Sequence, residues 1–221
     1  MTVAVRAPAR PLILALIAAM AIAILPAGAA KPVLAAGTIS LAALDVAYTQ
    51  DFDTLAATGT SSAVPLGWDF AEAGTNANTT YAASNGTPNT GDTYSFGDGG
   101  VAERAFGGLL SGSLVPTVGA SFTNDTGSTI GSAAIAYTGE QWRIGTAARE
   151  DRLDFQYSTN ATSLTTGTWT DLDALDFVAP TTTGTLGPLN GNAAANRTAK
   201  SGSIGGLTLA SGSTIWIRWT D

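Results

Sequence analysis

Residues 152–158 read RLDFQYS and residues 214–220 read TIWIRWT, and these two stretches decide the fold class. In the first, Leu153, Phe155 and Tyr157 alternate with Asp154, Gln156 and Ser158. That period of two belongs to a strand with one buried face. In the second, Ile215, Ile217 and Trp219 share a face, and Trp216 and Arg218 take the other. Working outward, a longer run from Ala134 to Ile144 turns Ile135, Tyr137 and Trp142 inward, with a bulge expected at Gly139. Further strands are expected at 44–52, 68–72, 93–96, 104–110, 118–124, 168–172 and 201–209, separated by Gly, Thr, Ser, Asn and Pro.

Ten or so short strands are too many for one sheet. The pattern therefore predicts an all-β fold: a two-sheet antiparallel β-sandwich, jelly-roll-like, without a convincing helical period after the leader. Residues 74–91 and 179–200 are polar and read as long surface loops. The tripeptide Thr-Gly-Thr at 58–60, 166–168 and 183–185 is irregularly spaced, which marks turn chemistry and not a repeat.

The first 36 residues read differently. Arg6 and Arg10 precede an unbroken apolar run from Leu12 to Leu25, and Pro26 ends it. Small residues follow, with cleavage expected after Ala29 or Ala35. Fourteen apolar residues fall short of the roughly 20 that a spanning helix needs, so 1–36 reads as a signal helix removed on export. The expected organisation is a signal peptide at 1–36 and one sandwich domain at 37–221. The location is secreted, extracellular or cell-surface attached, with no membrane association after cleavage. Because Asp221 follows directly on the strand 214–219, the domain is expected to lack its last strand and to belong to a longer protein.

Composition excludes several chemistries. The chain carries 10 basic and 17 acidic residues, a net charge of −7; losing Arg6, Arg10 and Lys31 with the leader takes it to −10. Such a surface repels phosphates, so no nucleic-acid partner is expected. Cysteine is absent, so stability comes from core burial and not from disulfides. Histidine is absent too, which removes His-dependent triads and His general bases. No G-x-S-x-G elbow occurs, and the four glutamates (Glu72, Glu103, Glu140 and Glu150) sit in no acid/base motif. No catalytic residue is assigned.

Six segments carry a resemblance: AYTQDFDTL at 47–55, PLGWDF at 65–70, GDTYSFG at 91–97, ERAFGG at 103–108, AYTGEQWR at 136–143 and RLDFQYS at 152–158. Together they resemble an amino-terminal β-sandwich module of large bacterial secreted and surface proteins. Members often carry lamin-tail-like, extracellular nuclease or sorting domains downstream. The resemblance spans about residues 44–221 and implies a MAM- or concanavalin-like layout. It carries no catalytic residue onto this sequence. In that family the segment matching 215–221 runs on into an acidic loop and a final strand. The function so implied is a non-catalytic module for extracellular binding or adhesion, or an accessory domain. The alternatives are a carbohydrate-binding module or a fragment of a secreted nuclease or glycosidase.

Two candidate sites follow from the residues. Asp51 and Asp53 flank Phe52, and on a strand they would share one face. With Asp221 they could give carboxylate oxygens to Ca2+, the only cofactor considered, if the first and last strands are neighbours. A solvated strand end competes with that reading. Trp216, opposite the apolar face and beside Arg218, is the aromatic most expected to be exposed and to stack on a sugar of an extracellular polysaccharide or cell-surface component. The acidic cluster Asp171, Asp173 and Asp176 fits no calcium-loop spacing and reads as a turn. The charged run from Glu140 to Asp154, with Arg143, Arg149 and Arg152, reads first as a hairpin tip with ion pairs, and second as an anion contact. Asn78, Asn124, Asn160 and Asn196 lie in N-x-Thr sequons.

Overall fold

The computed structural model describes residues 2–6, 17–18, 20–21, 31–32 and 37–221. The signal-helix reading of 1–36, including its two cleavage positions, lies outside the described residues except for those four short stretches, which are extended.

The largest sheet contains β1 (Ile39–Leu41), β4 (Trp68–Ala73), β8 (Val115–Asn124), β11 (Arg152–Ser158), β12 (Thr170–Asp171) and β16 (Thr214–Thr220). Its order is β12-β11-β16-β8-β4, with β1 running parallel to the last residues of β8. The second sheet contains β2 (Val46–Thr49), β9 (Ser132–Glu140) and β15 (Arg197–Ile204). Between β9 and β2 lies the stretch Thr2–Arg6, antiparallel to both. A third sheet is made by β3 (Thr60–Ser61), β5 (Tyr81–Ser84), β6 (Asp92–Phe96) and β7 (Ala105–Leu109). Three two-residue strands complete the set: β10 (Arg143–Ile144), β13 (Phe177–Val178) and β14 (Gly187–Pro188). The described fold is all-β, with no barrel closure and two single-turn 3-10 helices.

Alternation along the two decisive strands builds the core. Register places Phe70, Val118, Trp219 and Phe155 in one row across the large sheet, and Trp68, Ala120, Ile217 and Tyr157 in the next. Both rows point at the second sheet. Tyr137 of β9 meets Trp219 edge-on with ring centroids 5.3 Å apart, and Tyr48 of β2 meets Phe122 at 5.8 Å. Trp68 donates its indole N–H to the Tyr48 hydroxyl at 3.2 Å, so β2 is tied to the opposite sheet through one side chain. A contiguous apolar interior of this kind dominates the stabilisation.

Several expectations change. β9 carries no bulge: Gly139 and Glu140 stay in register with Thr198 and Arg197. Glycine is needed at 139 for another reason, since a Cβ there would lie 2.1 Å from the Phe177 ring. Trp142 is buried outside the main core, in a second cluster with Tyr94, Phe96, Ala105 and Leu109. The segment 74–91 is not all loop, because Tyr81 is 1% exposed and starts β5. The segment 179–200 contains β14 and the start of β15. The first expected strand ends at Thr49, three residues early.

Candidate functional site

Three places collect polar side chains: the outer face of the large sheet, the two ends that carry Asp51, Asp53 and Asp221, and the loops around Arg104.

On the outer face, Asp69, Gly119, Arg218 and Gln156 form one row, with Trp216 on β16 two residues from Arg218. The loop 159–169 closes over them. Trp216 is only 4% exposed and packs with Ala71, Ala161 and Leu164, so the expectation that it is the exposed tryptophan is corrected. Arg218 donates to the Gln156 side-chain oxygen at 2.7 Å and to the Leu164 carbonyl at 2.5 Å. Its guanidinium lies 3.9 Å from the centre of the half-buried Trp169 ring, a cation–π contact. Desolvation lowers the Arg218 pKa to about 10, although Asp171 opposes the shift. Desolvation also raises Asp69 to about 7, against one backbone hydrogen bond from Phe70. The row is a partly covered polar layer, in which Asp69 is buried and Arg218 and Gln156 are half-buried.

Asp51 and Asp53 do not lie on a strand. Phe52 between them has φ 67°, its side chain is fully buried against Trp68, and the Asp51 carboxylate accepts the Asp53 backbone N–H at 3.1 Å. A bulky residue with positive φ costs about 1–3 kcal/mol, which the burial of the ring offsets. Asp221 has different neighbours. Burial first, then Asp151 and Asp154, raise its carboxyl to about 8 while Arg149 opposes them. The premise of adjacent first and last strands is not met, because β16 pairs with β8 and β11. Among the described residues no group of three or more acidic side chains is placed to hold a metal ion.

The charged run 140–154 resolves into local pairs. Arg149 and Asp151 meet at 2.5 Å, Arg152 and Asp154 at 2.8 Å, and buried Glu140 pairs with Arg197 of β15. Burial still outweighs Arg197 and raises Glu140 to about 7. Arg143 turns to the Gly86 and Thr87 carbonyls at 2.9 and 3.0 Å. Two of the sequons prove to be turns: Asn78 and Asn124 each accept both the backbone N–H and the hydroxyl of the threonine two residues on.

Two buried ionic groups sit on the side of the third sheet that faces the core. Neither is marked by a sequence motif. Glu72 of β4 is fully buried and saturated. One oxygen accepts from the Thr93 N–H and hydroxyl, each at 2.8 Å, and the other from the Asn78 backbone and side chain. Asp92 lies beside it; burial, then the hydrogen bond and charge of Glu72, raise Asp92 to about 7. Arg104 is 1% exposed and its partners are neutral: the Ser95 hydroxyl at 2.8 Å, the Ser95 carbonyl, and the Asp98 carbonyl at 3.3 Å. Those bonds leave part of the five-donor guanidinium fork unused. Arg104 also lines a pocket of about 210 Å³ with Thr58, Ser84, Asn85, Pro88 and Gly97. Burial lowers its pKa, and Glu103 is the leading group that opposes the shift. An arginine guanidinium is not deprotonated in proteins, so the buried group is a cation. A buried cation with spare donors at the wall of an open pocket is suited to a carboxylate or another small anion.

No protein-family model matches this chain, and neither the curated proteins nor the solved structures contain a match.

Proposed function

We propose that this chain is a secreted, non-catalytic β-sandwich module, jelly-roll-like in layout, that binds an extracellular ligand as an accessory or adhesion domain. The pocket at Arg104 is its ligand seat, and the single observation that carries the reading is that buried guanidinium among neutral partners. A net charge of −10 after leader removal disfavours a densely charged polyanion. A polysaccharide or cell-surface component with isolated carboxyl groups fits better. The resemblance to amino-terminal modules of bacterial secreted proteins supports the same class. The glycosidase alternative draws less support, since the oxygens of Glu72 are occupied by Thr93 and Asn78.

Binding of the exported protein to uronic-acid glycans and to their neutral counterparts tests this reading. Arg104→Lys loses the planar fork and is expected to weaken uronate binding about tenfold, or about 1.4 kcal/mol. Asn85→Ala, on the pocket rim, gives a smaller loss without touching a buried ion. Equal binding of neutral and acidic glycans, untouched by both substitutions, overturns it. Calcium enters as a parallel proposal at Asp51 and Asp53: a rise in melting temperature at millimolar calcium supports it, and no rise retires it.

A further inference from the structure

The second sheet is completed by a segment from outside the domain. Thr2–Arg6 runs between β9 and β2, pairing Thr2 with Ala136 through Arg6 with Ser132 on one side, and Thr2 with Thr49 through Ala4 with Ala47 on the other. Ile17 and Ala18 continue along the same strand, opposite Thr138 and Gly139. The opposite edge of β9 is filled by β15 over eight consecutive pairs. Every labelled strand from Ile39 onward already has its place in a sheet, except that β2 has no other described partner.

Removing residues 1–36 therefore bares one edge of β9 and one edge of β2. Neighbouring strands lie about 4.8 Å apart, so the two bared edges face each other across about two spacings, too far to bond directly. β2 is held where it is by Tyr48, through Trp68 and Phe122, while Val46 at its start is 61% exposed. The walls also set a pattern. Val3 is in register with Ile135 and Tyr48, and Val5 with Ala133, so alternate positions of an incoming strand fall level with core residues. The segment that fills the gap ends on a cation, Arg6, in a protein whose exported form is strongly acidic.

We propose that in the exported protein the gap between β2 and β9 is a docking slot for an extended strand of a second polypeptide, antiparallel to both walls, with apolar residues at alternate positions and a basic end. This rests on the export reading, in which Thr2–Arg6 is lost with the leader. Main-chain hydrogen bonds to both walls supply affinity, and the alternating positions supply selectivity. The slot walls share no residue with the lining of the Arg104 pocket, so the two activities can be removed separately.

The intact mass of the exported protein first reports whether residues 1–29 or 1–35 have gone. Hydrogen exchange then follows the amides of β2 and β9, with β8 and β16 as internal reference. In the processed protein the bared amides are expected to exchange at least about tenfold faster than with a peptide of residues 1–8, and that peptide raises the melting temperature. A peptide of the same composition with Val3 and Ala4 exchanged, and Val5 and Arg6 exchanged, gives no protection. Protected walls without peptide, or no response to millimolar peptide, overturn the slot. A doubled mass in sedimentation with the walls protected overturns the choice of occupant in favour of a second copy. If the leader is retained, the export reading fails and the slot is tested in the full chain with Ala4→Pro, which breaks the resident strand. Loss of wall protection that the added peptide reverses supports the slot, and unchanged protection sinks it.

Discussion

The two facing sheets are built on the same alternation and finished in different ways. In the large sheet every central strand is flanked on both sides by strands from residues 37–221, and its inner rows run unbroken from Phe70 to Phe155. In the second sheet the strand between β9 and β2 comes from residues 2–6. The large sheet takes an outside segment only at one edge, where Lys31–Pro32 pairs with β4, while in the second sheet the outside strand lies between two others. Burial differs too: β16 carries Ile215, Ile217 and Trp219 at 3% exposure or less, while β2 is mostly exposed.

The largest effect should come from breaking the inner rows. Trp219 touches Trp68, Tyr137 and Phe155, so Trp219→Ala is expected to cost about 3–5 kcal/mol in denaturant unfolding. A loss below about 1 kcal/mol would mean that the large sheet does not carry the core. Gly139→Ala acts on the second sheet: the added methyl meets the Phe177 ring, and overpacking should cost about 1–3 kcal/mol. If it is neutral, β13 is free to move and the contact is not tight.

A smaller effect is read from two buried carboxyls by pH. Buried Asp69 on the outer face and Asp92 beside Glu72 are both raised to about 7, chiefly by burial. A carboxyl whose folded pKa exceeds its unfolded value holds its proton more tightly in the native state. Stability therefore falls as pH rises from about 4 through about 7, and melting temperature should be higher near pH 5 than near pH 8. Asp69→Asn is expected to flatten part of that slope, and an unchanged profile would show that the outer layer is wet. The smallest effect is expected at Val46, where Val46→Thr should stay within about 0.5 kcal/mol in unfolding and leave the core untouched.

Legibility followed the same division. Strands with strict alternation around one sealed face, such as 152–158 and 214–220, were readable because the sequence period and the burial period coincide. β5 was not, since Tyr81 is one large apolar residue between Thr80 and two alanines, within a run of turn-forming residues. Trp216 was misread for a related reason. Period two correctly puts it opposite Ile215 and Ile217, yet a chain pattern cannot say that loop 159–169 covers that face. Arg104 and Glu72 left no signal at all. Their neutral and amide partners, Ser95, Thr93 and Asn78, are ordinary residues in ordinary strands and turns, and only long-range pairing brings them within hydrogen-bond distance.

By itself the sequence determined the all-β class, the inward faces of the main strands and the exclusion of histidine and cysteine chemistry, because each of these depends on local period or residue type. Tertiary structure alone decided which polar groups are buried, that a buried arginine lines a pocket, and that segments from outside residues 37–221 pair with each of the three main sheets. Those properties depend on which segments meet across the sandwich, and desolvation, which sets both the shifted carboxyls and the buried guanidinium, exists only once they have met.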